Sequence, residues 1–155
     1  MVTWNRALRR KNVNALIIVS HGSRNKKSAQ QVAALCQKIS EKARNLSDQN
    51  KFDQNKFDQV AHAFLQFASP LLEETIDDLV QRGARRIIVF PLFIAAGSHL
   101  LKDIPEAVET AGKTYPGVSF SITRHLGGIE AIEDIIVHEV IIQDWSVCLG
   151  GSVSS

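Results

Sequence analysis

Residues Ala15-Leu16-Ile17-Ile18-Val19-Ser20 form an apolar run with no polar alternation until its last position. A strand with one face in water would alternate apolar and polar side chains, so this run asks for cover on both faces. A parallel sheet between layers of helix meets that demand, and the run alone argues for an α/β fold. Arg86 to Phe90 repeats it, while Val60 to Phe67 and Val118 to Thr123 read as two further strands. Helical spacing fills the intervals. Ser28, with Gln31 three residues on, reads as a capping box, and Val32, Leu35, Cys36, Ile39 and Ala43 follow on one face. Ser69-Pro70 starts a second helix with Glu73 and Glu74 in its first turn, Leu72, Ile76, Leu79 and Val80 inward, and Gly83 as its stop. Asp103 and Glu106 cap a third helix that extends to about Tyr115. Ile129 to Trp145 is the last, with Ile132, Ile135, Ile136 and Val140 turned inward. The expectation is a parallel four-stranded sheet with helices on both faces.

One domain accommodates all of this. Residues 1–14 read as a solvated N-terminal tail, 15–147 as a single α/β domain and 148–155 as a C-terminal tail. The N-terminal stretch carries Arg6, Arg9, Arg10 and Lys11 but lacks the apolar core of a secretory signal. A net charge of +2, with no basic stripe interleaved with aromatics, gives no reason to expect nucleic acid as a partner. No apolar run is long enough to span a bilayer, so no membrane partner is expected either. Cys36 and Cys148 lie far apart and form no Cys-x-x-Cys pair, which leaves a reducing cytoplasm as the default compartment. Between Asn45 and Gln59 the chain is polar, and Lys51-Phe52-Asp53-Gln54-Asn55 is nearly repeated by Lys56-Phe57-Asp58-Gln59. This reads as a duplication tolerated within a surface loop.

Right-handed crossovers place the carboxyl end of every parallel strand on one edge, where open α/β sheets bind their ligands. That edge receives His21 after the first strand, Gln66 after the second, the turn Gly97-Ser98-His99 after the third and His125 after the fourth. Imidazole is a common ligand for iron, cobalt, nickel and zinc, so His21 and His99 together suggest metal handling. As isolated residues they could equally be hydrogen-bonded loop histidines. Gly22-Ser23-Arg24 could offer backbone N–H groups, a hydroxyl and a guanidinium to an anion, or serve only as a sharp turn with a solvated Arg24. No Gly-x-Ser-x-Gly elbow supports a hydrolase built on Ser20 or Ser98. Asp103 is placed either to support His99 or to cap the following helix, and capping is the simpler reading. His62, in mid-strand, and His138, in the last helix, read as structural or solvated.

With Ser20-His21-Gly22-Ser23-Arg24, Ala63-Phe64-Leu65-Gln66 and Pro91-Leu92-Phe93-Ile94-Ala95-Ala96-Gly97-Ser98-His99 in place, the chain resembles the small form of the class II tetrapyrrole chelatases. That family contains the sirohydrochlorin cobaltochelatases and ferrochelatases. The resemblance spans residues 15 to 110, with Pro70 and Asp103-Ile104-Pro105 also in register. It implies a flavodoxin-like three-layer fold and ATP-independent insertion of a divalent metal, iron or cobalt, into sirohydrochlorin for sirohaem or cobalamin. His21 and His99 are then the catalytic and metal-binding residues. Gly22, Ser23, Arg24, Gln66, Gly97 and Ser98 line the substrate. The metal is a substrate, no tightly bound cofactor is implied, and a homodimer supplies the second wall of the cleft. Family members commonly carry Glu where Gln66 stands, and glutamine keeps an oxygen donor while losing the charge. A non-catalytic tetrapyrrole or metal carrier on the same fold is the alternative.

Overall fold

The computed structural model of the protein describes residues 13–49 and 57–142, the side chains of 46–49 excepted. Val13–Ser20 is the first strand, β1, and every residue from Ile17 to Ser20 is buried. It pairs in parallel with β2 (Gln59–Phe64) on one side and β3 (Ala84–Pro91) on the other, and β3 pairs with β4 (Ser119–Ile122). The order β2-β1-β3-β4 therefore puts the unalternated run in the interior of the sheet, as its composition requires. The same order creates a switch point. From β1 the chain moves outward to β2, then crosses back to β3, so the connections leaving β1 and β3 diverge and open a crevice at their carboxyl ends.

The two faces of the sheet are covered unequally. Ala15, Ile17 and Val19 of β1 join Ile87 and Val89 of β3 in one buried cluster, together with Leu72, Ile76 and Leu79 of α2 (Leu72–Gln81) and Ile104 and Ala111 of α3 (Ile104–Thr114). Each such Ile or Leu contributes about 1.5–3 kcal/mol relative to an exposed one. Ile18, pointing the other way, is buried on the face where α1 (Lys26–Gln49) packs beside β2 and inserts Cys36. Burial pushes the Cys36 thiol up to about 11, which keeps it protonated and unreactive.

Several boundaries differ from the sequence expectation. The strand β1 starts two residues early, at Val13. The helix α1 opens at Lys26 rather than Ser28, because Asn25 Oδ1 accepts the Lys27 N–H at 3.0 Å and supplies the cap. It then runs to Gln49, through residues expected to be loop. Residues 51–56 of the tandem repeat lie outside the described residues. Asp58 does not: its N–H donates to the Asn14 carbonyl at 2.8 Å, its carboxylate accepts the Asn14 N–H at 3.1 Å, and Gln59 already belongs to β2. The strand β2 stops at Phe64, not Phe67, and α2 starts at Leu72, after the cis Ser69-Pro70 bond. Glu73 and Glu74 do occupy its first turn, and Glu74 accepts the Leu71 N–H at 2.8 Å.

The last helix is the clearest correction. It spans Ile132–Ile142 as α4, and its expected inward face is not buried: Ile135 is 59% exposed and Ile136, Val140 and Ile141 are exposed as well. Its main contacts are with the short turn Leu126–Gly128 rather than with the sheet. Ser119 and Ser121 of β4 are correspondingly exposed. Trp145 and Cys148 lie outside the described residues. No helix among the described residues is long and apolar enough to cross a membrane.

Candidate active site

His21 is the first residue beyond β1, and the segment after β2 crosses directly over it. The Leu65 N–H donates to the Ser20 carbonyl at 3.0 Å and the Gln66 N–H to the His21 carbonyl at 3.1 Å. This crossing requires Gly22. Its φ is +94°, and a Cβ built there would lie 1.8 Å from the Gln66 carbonyl oxygen, so any other residue would force the two segments apart. The same closeness delivers the Gln66 side chain to the imidazole, with Nε2 of the amide 2.8 Å from Nε2 of His21. With the amide donating, His21 Nε2 is the acceptor.

His99 arrives from the other side of the switch point. Beyond β3 the Leu92 N–H still bonds the Val19 carbonyl at 2.8 Å, tying this connection to β1. The Gly97 carbonyl then accepts from the N–H groups of Leu100 and Leu101, and His99–Asp103 forms a single turn of π-helix closed by the Ile104 N–H on the His99 carbonyl. Asp103 was expected to cap α3, yet its side chain makes no capping bond. It instead accepts from His99 Nδ1 at 2.5 Å, so Nε2 is the ring nitrogen that Asp103 does not engage. The rings of His21 and His99 lie 4.7 Å apart, centroid to centroid, tilted by 56°.

The remaining candidate residues make contacts of their own, and not all of them lie near this pair. Ser23 Oγ accepts the Asn25 N–H at 3.1 Å, so it shapes the turn into α1. The Arg24 guanidinium, on an exposed residue, stacks over the Phe67 ring at 5.0 Å. Gly97 and Ser98 lead into the π turn, Ser98 with helical φ and no capping bond from its hydroxyl. His125 packs its ring against the backbone of Gly128, on a loop joined to the β3 connection by the Gly127 N–H on the Phe93 carbonyl at 3.0 Å. His62 lies on the edge strand β2, edge-on to Phe64, and burial lowers its pKa. His138 is exposed on α4.

Phe67 escaped the sequence reading. It follows Gln66, adopts φ +63°, and sets its ring 6.0 Å from that of His21. Nothing in the run Leu65-Gln66-Phe67-Ala68 signals a left-handed backbone, which comes from the crossing over Gly22.

A recess of about 240 Å³ adjoins His21, its lining including Ser20, Ser23, Ser28, Val32, Phe64 and Leu92. Among the described residues no three His, Cys, Asp or Glu side chains come together to hold a metal ion. A pair of imidazoles leaves most coordination positions of a divalent metal open, the condition for an ion that must be taken up and passed on.

The chain is 30% identical over 128 residues to a sirohydrochlorin ferrochelatase of Priestia megaterium, covering 83% of this chain and 44% of that one. It is 35% identical over 94 residues to a sirohydrochlorin cobaltochelatase of Methanococcus maripaludis, covering 61% and 57%. Its fold matches the sirohydrochlorin chelatase SirB of Bacillus subtilis subspecies spizizenii, solved in complex with cobalt, with a TM-score of 0.65 at 27% identity over 83% of this chain and 50% of SirB. The chain thus spans about half the length of these curated relatives. The CbiX family model matches residues 15–142, the stretch that forms the sheet and carries both histidines, and the chain belongs to the CbiX family.

Proposed function

We propose that the protein is a sirohydrochlorin chelatase, exchanging two pyrrole protons of the tetrapyrrole for one divalent iron or cobalt ion. The observation that carries this reading is the pair of imidazoles 4.7 Å apart at the carboxyl ends of β1 and β3. His99, with its Nδ1–H held by Asp103, offers Nε2 to the incoming metal; His21 offers its own Nε2 once the Gln66 amide gives way. As metal–pyrrole bonds form, two N–H bonds break, and the imidazoles relay those protons to solvent. The metal keeps its oxidation state throughout, so the exchange itself calls for no redox cofactor. Gly22, Ser23, Arg24, Gln66, Gly97 and Ser98 surround the pair and form the substrate-contacting rim, with Arg24 the group suited to the carboxylates of the tetrapyrrole.

A second copy of the chain completes the site. The recess beside His21, about 240 Å³, is below the roughly 300–1,000 Å³ of pockets that enclose a drug-sized ligand, and a tetrapyrrole is larger still. The relatives are about twice as long as the matched stretch, and α4 offers an apolar surface with little of the sheet against it. The widely spaced cysteines fit a reducing compartment such as the cytoplasm. One observation favours the carrier reading: the neutral Gln66 amide beside His21, where a carboxylate would both attract the metal and take a proton.

Anaerobic absorbance of excess sirohydrochlorin with ferrous or cobaltous ion decides between them. Catalytic protein should convert many equivalents to the metallated spectrum, the faster metal indicating the pathway. Conversion that stops at one equivalent would establish the carrier instead.

A further inference from the structure

Phe67 combines two features that a fold ordinarily avoids. Its backbone lies in the left-handed region, φ +63°, which is uncommon for any residue but glycine and most unusual for a bulky one. Its side chain is also 52% exposed, so the strain is not repaid by burial of the ring. The conformation is enforced from both sides. Upstream, the N–H groups of Leu65 and Gln66 are bonded to Ser20 and His21; downstream, the Pro70 carbonyl accepts the Phe64 N–H at 2.9 Å. Such over-determined strain concentrates at functional sites.

The position of the ring says what it could serve. Phe67 stands edge-on to His21 at 6.0 Å, and His21 stands 4.7 Å from His99, so the His21 ring neighbours both. Arg24 lies over the Phe67 ring at 5.0 Å and steadies it through a cation–π contact. The connection that carries His99 exposes Ile94 (70%) and Leu101 (72%). An apolar ring beside a metal-handling pair, with a guanidinium next to it, matches a flat conjugated ligand whose rim bears carboxylates.

We infer that Phe67 is a substrate-positioning residue, an aromatic platform that holds the tetrapyrrole plane beside His21 while Arg24 meets its rim. This rests on the chelatase reading above and adds a residue to it. The prediction separates stability from binding. In Phe67→Gly the left-handed backbone is relaxed, so the melting temperature stays level or rises, while affinity for metal-free sirohydrochlorin falls at least tenfold. Phe67→Tyr keeps the flat ring and restores binding to within about threefold.

The experiment is an anaerobic titration of metal-free sirohydrochlorin into wild type, Phe67→Gly and Phe67→Tyr, with cobaltous-ion binding and thermal melts of each. Weakened tetrapyrrole binding in the glycine variant, with cobalt binding and melting temperature retained and the tyrosine variant rescued, establishes the platform. Equal tetrapyrrole affinity in all three overturns it and leaves the chelatase reading intact. A drop in melting temperature for Phe67→Gly that parallels its loss of affinity also overturns it, since the ring would then be structural. Wild type that binds no tetrapyrrole removes the chelatase reading and the platform together.

Discussion

The two histidines sit on equivalent strand ends yet are held by opposite kinds of partner. At His99 a carboxylate, Asp103, accepts from Nδ1 and does not engage Nε2. At His21 an amide, Gln66, engages Nε2 itself. The carboxylate is supplied by the same local π turn as its histidine, four residues on; the amide comes from another strand connection, across Gly22. The pair is thus asymmetric: on the proposed chelatase reading, a metal takes His99 directly, whereas His21 must first release Gln66.

Removing either ring should have the largest effect. His99→Ala or His21→Ala should reduce metal insertion by at least about 100-fold, the scale of losing a positioned proton acceptor, here compounded by losing a ligand. The fold should persist, since both residues lie at a partly exposed edge where truncation changes stability by about 0.5 kcal/mol or less. Initial insertion rates and melting curves of the two variants test this, and near-normal turnover in both would refute the site.

Asp103 tests the His99 side alone. Loss of a carboxylate that orients a metal-binding imidazole lowers metal affinity or activity by about 10–100-fold, and Asp103→Ala should fall in that range. Asp103→Asn keeps an oxygen that can accept the Nδ1–H and should recover part of the loss. If Asp103 acted only on α3, Asp103→Ala would lower the melting temperature, Asp103→Asn would keep it, and neither would change cobalt binding. Cobalt titration of the two, beside their melts, distinguishes these outcomes.

What the chain reveals without coordinates follows the range of the forces involved. The run Ala15–Ser20 announced a strand covered on both faces because burial is written in composition, and the strand-end rule brought His21 and His99 to one edge because parallel topology is nearly obligatory. The opening of α1 was placed at Ser28 because apolar periodicity begins late; Lys26 and Lys27 are polar, though Asn25 is as good a cap as Ser. The extension to Gln49 was invisible for the same reason, since polar residues continue a helix without marking a face. In α4, Ile132, Ile135, Ile136, Val137, Val140 and Ile141 occupy most of the circumference, so the sequence defines no inward side. Phe67 and the Gln66–His21 contact depend on two loops crossing at Gly22, a tertiary event with no local signature. For Asp103, capping and imidazole support predict the same residue at the same spacing, and only the bond to Nδ1 separates them.

Gln66→Glu sharpens the His21 side and should have the smallest effect. A carboxylate at this position would accept from the imidazole instead of donating to it, leaving the two histidines similarly supported. It would also add a charged oxygen donor near the metal path. Both changes assist metal capture, whereas the loss of the amide N–H removes only a bond that the metal must displace. The insertion rate should stay unchanged or rise by less than about tenfold, the scale of one added charge-assisted contact, roughly 1.4 kcal/mol. Parallel initial-rate measurements with ferrous and cobaltous ions check this. A tenfold loss with either metal would mean that the amide donor itself serves the reaction, and that the asymmetry of the pair is functional rather than tolerated.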